Sequence, residues 1–219
     1  MAALTIQTFT SEGFGQNAYL VRCDRSGEWL AIDPGGEAAA MADVLAQEGG
    51  PLTGIILTHA HLDHVEGVAT LVERAPAPIY LHPADRPLYD AAAEQAAFFG
   101  HPIRTPPPPD HALSGTGRFT WGECAFELRH VPGHSPGHIL LYAEQDGLAF
   151  VGDVVFAGSI GRTDLPGGDY QQLMRSIREQ VLTLPDPTRL YAGHGPVTTV
   201  ARERTGNPFL VPNHPGRMA

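Results

Sequence analysis

The chain has 219 residues, a formal net charge of -10, and 14 basic residues that are all arginine. That length can bury a sizeable core, and an acidic chain without a basic run is a poor match for nucleic acid, which needs a cationic footprint. Hydrophobic residues make up 42% and charged residues 17%, an ordinary globular composition, and no apolar stretch approaches the ~20 residues needed to span a bilayer. The opening MAALTIQTFT lacks a basic segment followed by an apolar run, so the expected location is the cytoplasm. Cys23 and Cys124 form no C-x-x-C pair and are expected to be reduced, small buried side chains.

In chain order, QNAYLVRC and EWLAID read as strands joined by the hairpin signal DRSG. DPGG stops the second strand. EAAAMADVLAQEG has helical composition, with Ala39, Met41, Val44 and Leu45 as core contacts. TGIILTH is a short buried strand that runs into THAHLDHVEG, and Val65, Val68, Leu71 and Val72 then carry helical spacing. PIYLH is a strand and ADRPLYDAAAEQAAFF a helix. TPPPPD (105–110) is too stiff and donor-poor for either and is the one tempting domain boundary. Beyond it FTWGECAFELRHVP, HILLYAE and LAFVGDVVF read as strands, and GSIGRTDLPGG as a loop. DYQQLMRSIREQVLTL is a helix with an apolar stripe of Tyr170, Leu173, Met174, Ile177 and Val181 and with Asp169 as N-cap. RLYAGHG closes the series as a strand and turn. Strands and helices mixed through both halves suggest two sheets with helices outside, read as a single domain over 1–219.

The segment His59-x-His61-x-Asp63-His64 packs four metal-ligating side chains into six positions. Imidazole and carboxylate suit zinc and related first-row ions. A structural zinc site usually closes its sphere with Cys, whereas an all His/Asp set leaves room for water and is more often catalytic. Further donors are expected at turns that follow strands, where a scaffold presents side chains. His134 in VPGHSPGH, Asp153 in FVGDVVF and His194 in YAGHGP fit, each beside glycine. The set is then five imidazoles and two carboxylates, too many for one tetrahedral ion and suited to two. His138 is read as a strand-start or supporting residue. His82, His101, His111, His130 and His214 are given no functional role.

In this order THAHLDH, GHSPGH, GD and GHG resemble the metallo-β-lactamase fold superfamily. GSIGRTDLPGGD and GHGPVTTVARERTGNPF are similar to its short glyoxalase II-like hydrolases. The resemblance implies an α+β, four-layer αββα sandwich with the metal site at one edge of the two sheets. It implies that His59, His61 and His134 hold one divalent ion, that Asp63, His64 and His194 hold a second, and that Asp153 bridges them. The ions would be zinc, with iron or manganese as options. Asp33 in AIDPGG would support the site from behind, and Arg162 would grip an anionic substrate group. The implied reaction is hydrolysis of a small-molecule thioester or ester such as S-lactoylglutathione, with Asp63 and Asp153 in the catalytic roles and no serine nucleophile. Two departures from the longer glyoxalase II pattern bear on the thiol: Arg162-Thr163-Asp164 stands where Lys-x-Tyr is usual, and the sequence ends soon after NPF, where those enzymes continue into a helical domain. Two alternatives use the same donors. One is a mononuclear iron persulfide dioxygenase on His59, His134 and Asp153, and the other is a non-catalytic metal-binding module.

Overall fold

Successive side chains of a strand point to opposite faces, and strand β2 (Asn17–Cys23) is buried almost throughout. Its Ala18 and Leu20 join one apolar cluster, and its Tyr19 and Val21 join another. A strand buried on both faces must lie in an inner layer. The computed structural model, which describes residues 4–98 and 100–211, shows this layering; His214 lies outside the described residues.

The first sheet runs β1 (Leu4–Thr10), β2, β3 (Trp29–Ile32), β4 (Leu52–Ile56), β5 (Ile79–Leu81), β6 (His111–Ala112). The second runs β14 (Thr198–Thr199), β13 (Arg189–Ala192), β10 (Leu148–Gly152), β9 (Ile139–Ala143), β8 (Cys124–His130), β7 (Thr116–Trp121), and β11 (Val155–Phe156) and β12 (Ser159–Ile160) pair as a separate ribbon. Between them lie Tyr19, Val21, Ile32 and Ile56 from the first sheet and Phe126, Ile139, Leu141 and Phe150 from the second. The outer face of the first sheet is covered by α1 (Ala38–Glu48) and α3 (Val68–Arg74), through Met41, Leu45, Val68 and Leu71. The outer face of the second is covered by α6 (Tyr170–Ser176) and a π-helical extension over Ile177–Val181, through Leu173, Met174, Ile177 and Val181. Each fully buried Leu, Ile or Phe contributes ~1.5–3 kcal/mol, so three apolar layers alternate with two sheets and hold the αββα sandwich expected above.

Several local expectations change. Within the stretch from Val65 to Val72, read as one helix, the chain breaks into α2 (Leu62–Val65) and α3. Gly67 sits at the break, its N–H bonded to the Pro34 carbonyl at 2.9 Å. A Cβ there would lie 2.0 Å from the Gly35 carbonyl oxygen, so the two glycines let the start of α3 press onto the turn before α1. The stretch read as one helix over 84–99 divides, across residues 83–98, into a 3₁₀ turn (Pro83–Asp85), α4 (Arg86–Asp90) and α5 (Ala92–Phe98), with residue 99 outside the described residues. Ala39 is exposed and Ala42 buried instead, and Tyr170 is 37% exposed rather than part of the buried stripe. Asp169 does cap α6, accepting from the Gln172 N–H at 2.9 Å. Strands β1 and β14 and helix α7 (Val200–Gly206) were not expected. The proline-rich stretch is fastened to the first sheet: Tyr89 donates to the Pro107 carbonyl at 2.7 Å, and Asp110 accepts from the Ile79 N–H at 2.9 Å.

The cysteines are also corrected. They form a Cys23–Cys124 disulfide, with Cα atoms 5.8 Å apart and a sequence separation of 101. Cys23 ends β2 and Cys124 begins β8, and both side chains enter the layer between the sheets. Spacing along the chain hides that proximity; only the stacking of the sheets reveals it.

Candidate metal centre

Strands β4, β10 and β13 and the turn between β8 and β9 all deliver the chain to one edge of the sandwich. His59 follows β4, Asp153 follows β10, His194 follows β13, and His134 lies in the β8–β9 turn. The sheets are joined at this edge. Asn17 donates through its amide nitrogen to the carbonyls of Ala192 at 3.1 Å and Gly195 at 2.8 Å, Tyr19 donates to Ala192 at 2.6 Å, and Gln16 pairs with His194 as an isolated bridge. Residues 16–19 and 192–195 are therefore tied together along this rim.

The expected donors meet there. His59, His61 and His134 form one group whose potential ligand atoms lie within 4.8 Å of one another, and Asp63, His64 and His194 form another. Asp153 stands between them. Its Oδ1 is 3.3 Å from His64 Nε2, and its Oδ2 is 3.5 Å from both His134 Nε2 and His194 Nε2. His194 Nε2 also lies 3.1 Å from Asp63 Oδ2. Space for this convergence comes from glycine. A Cβ on Gly193 would lie 2.1 Å from Asp153 Oδ1, and one on Gly161 would lie 1.9 Å from the Asp153 carbonyl oxygen.

Supporting groups set the orientation of the imidazoles. Asp33 accepts from the Thr58 N–H at 2.7 Å and the Thr58 hydroxyl at 2.6 Å, and its Oδ2 lies 2.9 Å from His64 Nδ1. The Thr58 hydroxyl hydrogen is thereby committed, so its oxygen is left to accept from His59 Nδ1, 3.1 Å away. His134 Nδ1 donates to the Arg162 carbonyl at 2.7 Å. In each case the outer ring nitrogen is occupied and Nε2 faces inward, the arrangement that orients a ligating imidazole. Asp33 holds φ at +49°, the one positive value among described non-glycine residues. Such a backbone costs about 1–3 kcal/mol, and the Gln16 side chain bonded to the Asp33 carbonyl at 3.0 Å helps fix it.

Among buried side-chain atoms with no hydrogen-bond partner are Nε2 of His59, His61 and His64 and Oδ1 of Asp153. Unsatisfied buried polar atoms are expensive, and Nε2 of His59 and His64 with Oδ1 of Asp153 fit a cation that takes their lone pairs; on His61 it is Nδ1 that faces the cluster, 2.7 Å from His134 Nε2. Charge follows the same pattern. Burial, then the neighbouring imidazoles, holds His59 well below the usual histidine range, and burial followed by His134 lowers His61 to about 4. Burial also opposes charge on His194, but hydrogen bonds to Asp153 and Asp63 outweigh it and push the ring up to about 9. Asp153 stays well below the carboxylate range despite its burial, because His64 and His194 face it.

Arg162 and Ser135 differ from a bare reading of the letters, while His138 takes the supporting place expected of it. Arg162 points outward, 62% exposed, with its guanidinium paired to Asp164 through two contacts of 2.7 Å; what it gives the centre is its carbonyl. His138 is fully buried, stacks on His59 with ring centroids 4.6 Å apart, and accepts from the Asp153 N–H at 3.0 Å. Gly133-His134-Ser135-Pro136-Gly137 spells G-x-S-x-G, the usual serine-hydrolase signature. Ser135 is fully buried and donates to Asp85 at 2.7 Å, so it lacks the exposed hydroxyl of a nucleophile elbow. Asp85, Thr58 and Gln16 were not anticipated either, since nothing in their local sequence distinguishes a supporting residue from an ordinary turn or strand-end residue.

A fold of two sheets between helices, with a His/Asp metal-binding cluster at one edge, defines a class. Residues 11–194 match the family model of the metallo-beta-lactamase superfamily, and the chain belongs to that superfamily. It is 39% identical over 195 residues to a probable metallo-hydrolase, YqgX, of Bacillus subtilis, covering 89% of this chain and 92% of that one. It is 38% identical over 209 residues to the hydroxyacylglutathione hydrolase GloC of Haemophilus influenzae, covering 94% and 98%. Among solved structures it resembles the BLEG-1 B3 metallo-beta-lactamase, with TM-score 0.88 and 38% identity over 95% of this chain and all of that one. It also resembles TTHA1623 in a di-iron-bound form, with TM-score 0.85 and 42% identity over 93% of this chain and all of that one. Among the described residues no helix is long and apolar enough to cross a membrane.

Proposed function

We propose that this hydrolase is a dinuclear, metal-dependent thioesterase acting on a small acyl thioester of the S-lactoylglutathione type. The observation that carries the reading is the position of Asp153, within 3.3–3.5 Å of imidazoles from both donor groups. His59, His61 and His134 would hold one ion, Asp63, His64 and His194 the other, and Asp153 both. Zinc suits the donor set; a similar protein carries two irons. When bound, such a pair supplies Lewis acidity that brings the pKa of a water toward ~7 and polarises a carbonyl.

The chain's own groups do the rest. His59 and His64 are fully buried, whereas the side chains of Asp63 and His194 are 18% and 30% exposed. Substrate therefore approaches from the Asp63–His194 side. Asp63 orients the attacking water there, and Asp153 keeps the centre compact. Asp33 holds His64 and, through Thr58, His59. Arg162 reaches an anionic end of the substrate only by leaving Asp164.

The test is zinc stoichiometry of stripped and reloaded protein, together with turnover of S-lactoylglutathione and of non-glutathione thioesters. Two ions per chain with thioester hydrolysis is expected. One iron per chain, with oxygen uptake on a persulfide and no hydrolysis, would establish the dioxygenase instead. Stoichiometric metal without turnover of either kind would favour a binding module.

A further inference from the structure

Asp85 ends the 3₁₀ turn that follows β5, supplies no ligand, and is fully buried. One carboxylate oxygen, Oδ2, accepts from the Ala60 N–H at 3.0 Å and from the Ser135 hydroxyl at 2.7 Å. The other, Oδ1, accepts from the Gly137 N–H at 2.5 Å. Ala60 lies between His59 and His61, and Ser135 follows His134. The carboxylate thus bonds two separate loops at the points where they carry the three imidazoles of the first group. The approach is close enough that a Cβ on Gly137 would lie 2.7 Å from the Asp85 nitrogen and 2.9 Å from its Cγ.

We propose that Asp85 is a positioning residue for the His59–His61–His134 site, a buried carboxylate that sets the separation of the two loops whose imidazoles make that site. The second group has different support, since Asp33 holds His64 and the Gln16–His194 bridge holds His194. Asp85 therefore acts on one metal position and not the other. Asparagine cannot replace it. With the carboxamide oxygen toward Ala60, its NH₂ faces the Gly137 N–H; turned over, the NH₂ faces the Ala60 N–H. Either way one buried backbone donor loses its acceptor.

The inference rests on the ligand assignment proposed above, and the experiment separates the two. Full-length protein is stripped and titrated with zinc against a chromogenic chelator in two backgrounds. Asp63→Ala/His194→Ala leaves the first site, and His61→Ala/His134→Ala leaves the second. Asp85→Asn is expected to weaken zinc binding roughly 10–100-fold at the first site, the usual effect of removing a partner behind the ligands. At the second site the change should stay within about twofold, the scatter for an uninvolved position. Equal loss at both sites, or no loss at the first, overturns the proposal. Failure of the Asp63→Ala/His194→Ala parent to bind zinc overturns the ligand assignment, and this inference with it. Should Asp85→Asn fail to fold, Ser135→Ala removes one of the three bonds and should weaken the first site alone by roughly three- to tenfold; an unchanged first site then overturns the proposal equally well.

Discussion

Asp153 shows how much one carboxylate can decide. It follows a buried strand and lies against His134 of one group and His64 and His194 of the other, so Asp153→Ala should abolish hydrolysis and lower zinc uptake below two ions per chain. Its loss opens no gap among Phe150, Ile139 or Leu141, so circular dichroism should be unchanged; near-normal turnover would place the shared ligand elsewhere. Arg162 is a subtler case. Its charge is already answered by Asp164, and an exposed pair of this kind contributes only ~0–1 kcal/mol. If Arg162 grips substrate, Asp164 competes with it. Arg162→Ala should then raise KM for an anionic thioester with little change in kcat, and Asp164→Ala should lower KM for that same substrate. A neutral thioester of equal size should respond to neither, and identical responses from both substrates would remove Arg162 from substrate capture. The seven candidate donors could be read in the sequence because metal-binding side chains are chemically distinctive, four of them packed into six positions and the other three standing beside glycines. Asp85 and Thr58 could not, because what they do depends on a partner 25 to 52 positions away.

Element boundaries follow the same division between local and distant causes. The N-cap at Asp169 and the continuous apolar runs of β9 and β10 are written in neighbouring residues and read directly. The split between α2 and α3 is not, since Gly67 yields to a contact with residues 34–38 on another turn. Glycines at such approaches give a sharp prediction. Gly193→Ala should impair metal uptake severely, because the new methyl would occupy the place of Asp153 Oδ1 and crowd His64. Gly206→Ala, at the end of α7 with nothing within 4 Å of the added carbon, should bind zinc normally and gain about 0.4–1 kcal/mol of stability. Zinc titration and urea unfolding of the two variants check this pair, and normal uptake by Gly193→Ala would mean the turn can move aside.

At the scale of the molecule the disulfide spans the layer between the sheets. A crosslink closing a loop of about 100 residues contributes up to ~4.7 kcal/mol by restricting the unfolded chain. Cys23 ends β2, while Asn17 at the other end of that strand meets the metal edge. Six residues of strand separate them by roughly 20 Å. Reduction should therefore lower the urea midpoint by an amount equivalent to several kcal/mol and leave thioester turnover at 25 °C unchanged; a matching loss of turnover in folded, reduced protein would show that the sheets move against each other at the site.

The same crosslink has a consequence for chain integrity. The connection from 100 to 110 divides the elements up to α5 from β6 and everything after it, and Cys23 and Cys124 lie on opposite sides of it. A protease that cut there would produce no free fragments. The two pieces would remain one covalent particle, each held at high effective concentration beside its complement, with all seven donors still present. Scission of the backbone and loss of the enzyme become separate events, told apart by one band on a gel without reductant and two with it.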